Sequence, residues 1–344
     1  MTTRAQAQER AATSERASRE RAAAESARRA DAERARARQH AERAKAIIAN
    51  ALACRDGGME WLNHMPCYGV PMLTAGEWTT AVHFSLGVDR PEFAALAGRK
   101  CACCPDKTHA DAAAWTAHAL NVKAGRHGMS PSGLHHRIAA VVNKIALECG
   151  VDSTLGGDRT RCGVDARGQG VFSDVFLADL YPDPRGRGVH LDVTCGTVVD
   201  GNGKSKGDHA NTAHTINAAL ARKAAQYEPF TRDGPGRIEV KVLAMNSGGR
   251  MSDDFHKVLY AFARRKVAKS LGVDGNDAND AAEDPDARTE RKQRIGREKK
   301  RMIAAIQAAR IAYQARLIMA TTAQRERQRG QVGARGTTDS GPAA

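Results

Sequence analysis

At 344 residues the chain has room for two or three domains, and 53 Lys and Arg against 39 Asp and Glu give it a formal charge of +14, which points to a polyanionic partner. No run approaches the roughly 18–20 apolar residues of a membrane span and no apolar leader opens the chain, so the expectation is an intracellular protein, nuclear in a eukaryote, with no membrane partner. In that setting the eight cysteines are expected to be thiols or metal ligands rather than disulfides.

Residues 1–45 are almost wholly Ala, Arg, Glu, Gln and Ser, and after Met1 no large apolar residue precedes Ile47. Opposite charges four residues apart, as in Arg16/Glu20 and Glu25/Arg29, and the alanine content favour a solvated single helix. Residues 46–100 carry Trp61, Trp78, Val82, Phe84 and Phe93 at helical spacing and read as a small helical subdomain. A Cys/His segment occupies 101–132. From Leu134 a helix is expected, with Ile138, Val141, Val142 and Ile145 on one face and Glu148 at its edge. Two apolar runs around Asp174 and Asp192, split by a Pro/Gly/Arg turn at 181–188, read as a strand hairpin. A helix over 210–227, a strand over 238–243 and a helix over 253–269 complete an α/β core assigned to 133–271. An acidic linker at 272–286, a basic helix at 287–327 and a tail at 328–344 follow.

The two aspartates carry the chemical argument. A carboxylate among residues that want burial needs a cation or a metal beside it, and two on adjacent strands suggest a divalent-metal site. Cleaving a phosphodiester takes carboxylates to hold a metal and a cation for the developing charge. Asp174, Asp192 and Glu148 would supply the first, and Lys223, with Tyr227 one turn on, the second. Separately, Cys101-x2-Cys104-x4-His109 has zinc-knuckle spacing. Basic residues cluster at Arg264-Arg265-Lys266 and at Arg297 with Lys299-Lys300-Arg301, as a nucleic-acid surface would.

Ser173-Asp174-Val175-Phe176-Leu177, then Leu191-Asp192-Val193-Thr194, then Lys223-Ala224-Ala225-Gln226-Tyr227 resemble the restriction-like endonuclease at the C-terminus of non-LTR retrotransposon polyproteins, a branch of the PD-(D/E)xK nucleases. Leu73-Thr74-Ala75-Gly76-Glu77-Trp78 and Leu86-Gly87-Val88 look like the linker after the polymerase in these elements, and the likeness spans about residues 73–265. It implies a restriction-endonuclease-like fold, Mg2+ or Mn2+ as cofactor without any small-molecule cofactor, and DNA in preference to RNA. It also implies a zinc knuckle with His118 as a ligand, and His135-His136-Arg137 as a basic motif, so that His136 and Arg137 join the nucleic-acid contacts. Ser173 replaces the family's proline, Thr194 stands where many members carry lysine, and Val122 replaces a zinc-ligand cysteine, leaving the fourth zinc donor open among His109, Cys103 and His127. No polymerase motif occurs. The alternative expectation is a non-catalytic nucleic-acid-binding protein on a decayed nuclease fold.

Overall fold

The computed structural model describes residues 4–53, 60–63, 66–86, 88, 91–99, 108–109, 111–121, 131–181, 188–232, 237–272 and 284–335. Residues up to Lys45 form one unit and those from Ala46 onward another. The first is the greater part of helix α1 (Arg4–Ala53). Ion pairs such as Arg16–Glu20, at 3.1 Å, line it, and its described side chains from Arg19 to Ala41 are exposed, as expected of a helix that builds no core.

In the second unit, the 3-10 turn Glu60–Asn63 and helices α2 (Ala75–Leu86), α3 (Pro91–Ala94) and α4 (Ala112–Asn121) precede the α/β core. Helix α5 (Pro131–Glu148) begins on a proline, which is pre-set for the first helical position. It ends where Gly150 adopts φ +76°, letting the Val151 N–H close back on the Ala146 carbonyl at 3.0 Å. Its apolar stripe, Ile138, Val142 and Ile145, is wholly buried.

Strands β1 (Ser153–Leu155), β4 (Val175–Leu177), β5 (Val189–Gly196) and β6 (Glu239–Asn246) form one sheet in that order. The first two pairings are antiparallel and β5–β6 is parallel. A parallel neighbour needs a long crossover, and helix α6 (His214–Thr231) supplies it. Among the described residues, strands β2 (Arg161–Val164) and β3 (Gly170–Phe172) pair only with each other. Helix α7 (Asp253–Ser270) is capped by Ser252, whose Oγ accepts from the Phe255 N–H. The expected strand pair around the two aspartates is β4 and β5, but Asp174 stands just before β4 rather than inside it.

Helix α8 (Pro285–Arg335) departs furthest from expectation. The sequence reads it as a basic helix at 287–327, separated by a linker from a core ending at 271. Instead Met302, Ala305, Ile306 and Ile311 are buried in the same core as Ile145, Leu191, Leu243, Phe255 and Phe262. Trp61, Tyr68, Val70 and Ala81 join that core, and the residues from Ala46 onward form one unit with it. Arg310 of α8 is fully buried, bonding Gln307 Oε1 at 2.7 Å, Gln314 Oε1 at 2.8 Å and the Ser247 carbonyl beyond β6.

Candidate active site

Side chains alternate along a strand, so β5 turns Val189, Leu191 and Val193 into the core and His190, Asp192 and Thr194 to the opposite face. Asp192 is 2% exposed. Helix α6 lays Lys223 and Tyr227, one turn apart, against it: Lys223 Nζ lies 3.1 Å and Tyr227 Oη 2.9 Å from the same oxygen, Oδ1. The Tyr227 hydroxyl also reaches the Phe172 carbonyl at 3.1 Å, and its single hydrogen serves one acceptor at a time. Burial pushes the Asp192 carboxyl above its ordinary range; Lys223 pulls the other way and the Asp174 charge adds to the rise. Burial and the Asp192 charge raise the Tyr227 phenol.

Asp174 completes the group from the entry to β4. Its N–H donates to the Leu191 carbonyl at 2.9 Å, and its Oδ2 accepts from the Val193 N–H at 2.6 Å, taking the place of the strand partner that β4 no longer offers there. Oδ1 pairs with His135 Nε2 at 2.7 Å. The hydrogen bond to Asp174 holds His135 above its ordinary value against the burial that opposes it. His135 is thus the neighbour that the expected site set omitted; its place beside His136 and Arg137 was the only signal. His190 is a second, two residues before Asp192 and therefore on the same strand face, with Ser173 Oγ 3.0 Å from its Nδ1.

One oxygen stands apart. Asp192 Oδ2 is buried and, among the described residues, has no hydrogen-bond partner. Buried polar atoms are rarely left so, and an anionic oxygen least of all, which makes this atom fit a cation. Among the described residues no three His, Cys, Asp or Glu groups converge as a metal cage. A magnesium site needs no such cage, since that ion keeps several waters and takes one or two carboxylates.

Glu148 does not belong to this group. His135, on the same helix, touches Asp174, and Glu148 follows thirteen residues later, about 20 Å along the axis at 1.5 Å per residue. Glu148 is exposed near Cys67 and Cys149 instead, so the third expected carboxylate is absent from the site.

Of the expected zinc ligands, Cys101 and Cys104 lie outside the described residues, as do Cys103, Val122 and His127. His109 and His118 are both buried, their ring centroids 4.3 Å apart and packed against Trp115. Of the expected nucleic-acid contacts, His136, Arg297, Lys300 and Arg301 are exposed, and Arg137, Arg264 and Lys299 half-buried. Arg265 and Lys266 are half-buried as well. Arg265 binds the Asp179 carboxylate at 2.5 Å and the Gly150 carbonyl at 3.2 Å, and Lys266 binds Glu298 at 2.5 Å and Tyr68 Oη at 2.9 Å, so both charges are engaged within the fold.

No protein-family model matches the chain, and neither a curated protein nor a solved structure does.

Proposed function

We propose that the chain is a metal-dependent endonuclease cleaving phosphodiester bonds in DNA, built on a restriction-endonuclease-like core. The observation that carries this reading is the buried Asp192 Oδ2, without a hydrogen-bond partner among the described residues, on a carboxylate whose other oxygen is held by Lys223 and Tyr227. Asp192 and Asp174 would hold Mg2+ or Mn2+. Such an ion, when bound, polarises a phosphate and lowers the pKa of a coordinated water. Lys223 brings a protonated amine beside the same carboxylate, where it can orient a water or offset charge developing on phosphate. Tyr227 fixes the Asp192 carboxylate and His135 fixes Asp174. Supercoiled plasmid incubated with the protein and Mg2+ or Mn2+ should be nicked or linearised. Activity no greater than that of Asp192→Asn refutes the reading.

A second reading has its own observation: both Asp174 oxygens are engaged, by His135 and the Val193 N–H, and Lys223 already pairs with Asp192. On it, the cluster is a closed polar network in a nucleic-acid-binding protein. Calorimetric titration with Mn2+ separates the two, since only the nuclease reading expects binding that Asp192→Asn removes. The proposal retains a zinc ion at Cys101 and Cys104 with His118, and His109 among the open fourth donors. The close packing of the His109 and His118 rings supports it, and metal analysis of protein from zinc-grown cells tests it.

A further inference from the structure

Before reaching Asp174 the chain makes the detached β2–β3 hairpin. Its inner side is fastened to the site. A register shift between Arg161 and Gly163 leaves Cys162 as the extra residue, with Sγ 3.7 Å from His190 Nδ1. The Phe172 carbonyl receives Tyr227 at 3.1 Å, and Gly163 admits the Phe230 ring of α6 so closely that a Cβ there would come within 2.5 Å of it.

The outer side carries a different chemistry. Arg161 and Phe172 are register partners, and both are exposed, Phe172 to 49%. The Phe172 ring rests on Gly170, where a Cβ would come within 2.6 Å of it. Backbone therefore braces the ring from beneath while about half the residue faces solvent. At the turn, Asp165 Oδ1 is held by the N–H groups of Arg167 and Gln169 at 2.9 and 2.8 Å, which ties that carboxylate to its own loop beside the exposed Arg167.

We propose that the β2–β3 hairpin is a base-stacking arm: Phe172 stacks on a nucleobase next to the bond to be cleaved, and Arg161 takes an adjoining phosphate. This rests on the nuclease reading, because Phe172 stands two residues from Asp174. A braced aromatic face suits any base, since every base has a π-face, and the arginines match a polyanion better than a protein surface.

The test measures binding of the full-length protein, in EDTA, to a fluorescein-labelled oligothymidylate and to an abasic strand of equal length. Phe172→Ala should weaken oligothymidylate binding about 5- to 100-fold and leave abasic binding unchanged. Phe172→Trp should restore it. Gly170→Ala, which lifts the ring from its seat, should fall between. Arg161→Ala should weaken both strands alike, as a lost phosphate contact does. An equal effect of Phe172→Ala on both strands, no effect on either, or a wild-type protein that cannot tell the strands apart overturns the arm. If plasmid is cut normally by wild type while any of those results holds, the arm alone fails. Base-dependent binding by Phe172 in a protein that cuts nothing keeps the stacking contact and rejects the nuclease, and with it the arm's place beside a bond to be cleaved.

Discussion

Glu77 on α2 and Arg316 on α8, 239 residues apart, form an ion pair in which Glu77 is almost wholly buried. The same Glu77 closes a capping box: its Oε2 accepts the Thr74 N–H at 2.8 Å, and Thr74 Oγ1 accepts the Glu77 N–H at 3.3 Å. One carboxylate therefore starts α2 and fastens it to the core helix.

Acid should loosen this fastening. Burial pushes Glu77 up, but the Thr74 N–H and Arg316 outweigh it and hold its pKa below the ordinary value. Glu298 is lowered against burial in the same way by Lys266 and Tyr68. A depressed folded-state pKa gives stability that is complete above the unfolded value, about 4.3, and is lost as pH falls through the folded one. Urea midpoints should therefore drop between about pH 5 and pH 3, and drop less in Glu77→Gln. At pH 7 that variant should cost about 1–3 kcal/mol. An equal acid response in both proteins counts against the assignment.

Ile306→Ala in α8 should destabilise by about 2–5 kcal/mol, because the side chain is fully buried. Deleting residues 1–45 should leave cooperative unfolding intact and weaken binding to DNA. Thermal melts followed by circular dichroism check the two stability claims and fluorescence anisotropy the binding, and an unaltered melt for Ile306→Ala would show α8 to lie outside the core.

Asp174→Asn and Asp192→Asn should abolish plasmid cleavage while keeping DNA binding, which tightens without metal because a charge facing phosphate has gone. Lys223→Ala should lower cleavage by about 100- to 1000-fold and weaken binding slightly. Glu148→Gln should cut at the wild-type rate. Loss of cleavage in Glu148→Gln would contradict the placement of that residue about 20 Å along α5 from the site.

Salt should weaken DNA binding with a log–log slope of about 0.9 per phosphate contacted. Arg297→Ala and Lys300→Ala, both at exposed positions, should each reduce that slope by about one contact. Lys266→Met should lower thermal stability and leave the slope unchanged, since its ammonium is held by Glu298. Fluorescence anisotropy across a salt series measures all three.

What was legible in the sequence follows apolar periodicity. The stripe of Ile138, Val142 and Ile145 and the runs at 175–177, 189–194 and 239–243 mark α5 and three sheet strands because burial there is dense and regular. The helix over 287–327 was legible, but its burial escaped because Met302, Ile306 and Ile311 are interleaved with alanines and preceded by Arg297, Lys299, Lys300 and Arg301. The β2–β3 hairpin escaped because its strands have only four and three residues and each contains a glycine. Lys223 and Tyr227 were within reach, being one turn apart and downstream of Asp192. Glu148 misled because its place around the helix suited the site while its distance along the axis did not.

The burial of α8 bears on the order in which a newly made chain can fold. Every described residue of the candidate site, from His135 to Tyr227, leaves the ribosome before Met302 to Ile318, which close the core around it. The parallel pairing of β5 with β6 already waits on the intervening helix, and such long-range contacts form slowly. Until α8 arrives, the parts of α5 and α7 that it covers stay open even where the sheet already packs against them, so aggregation is a hazard of the nascent chain before α8 is made.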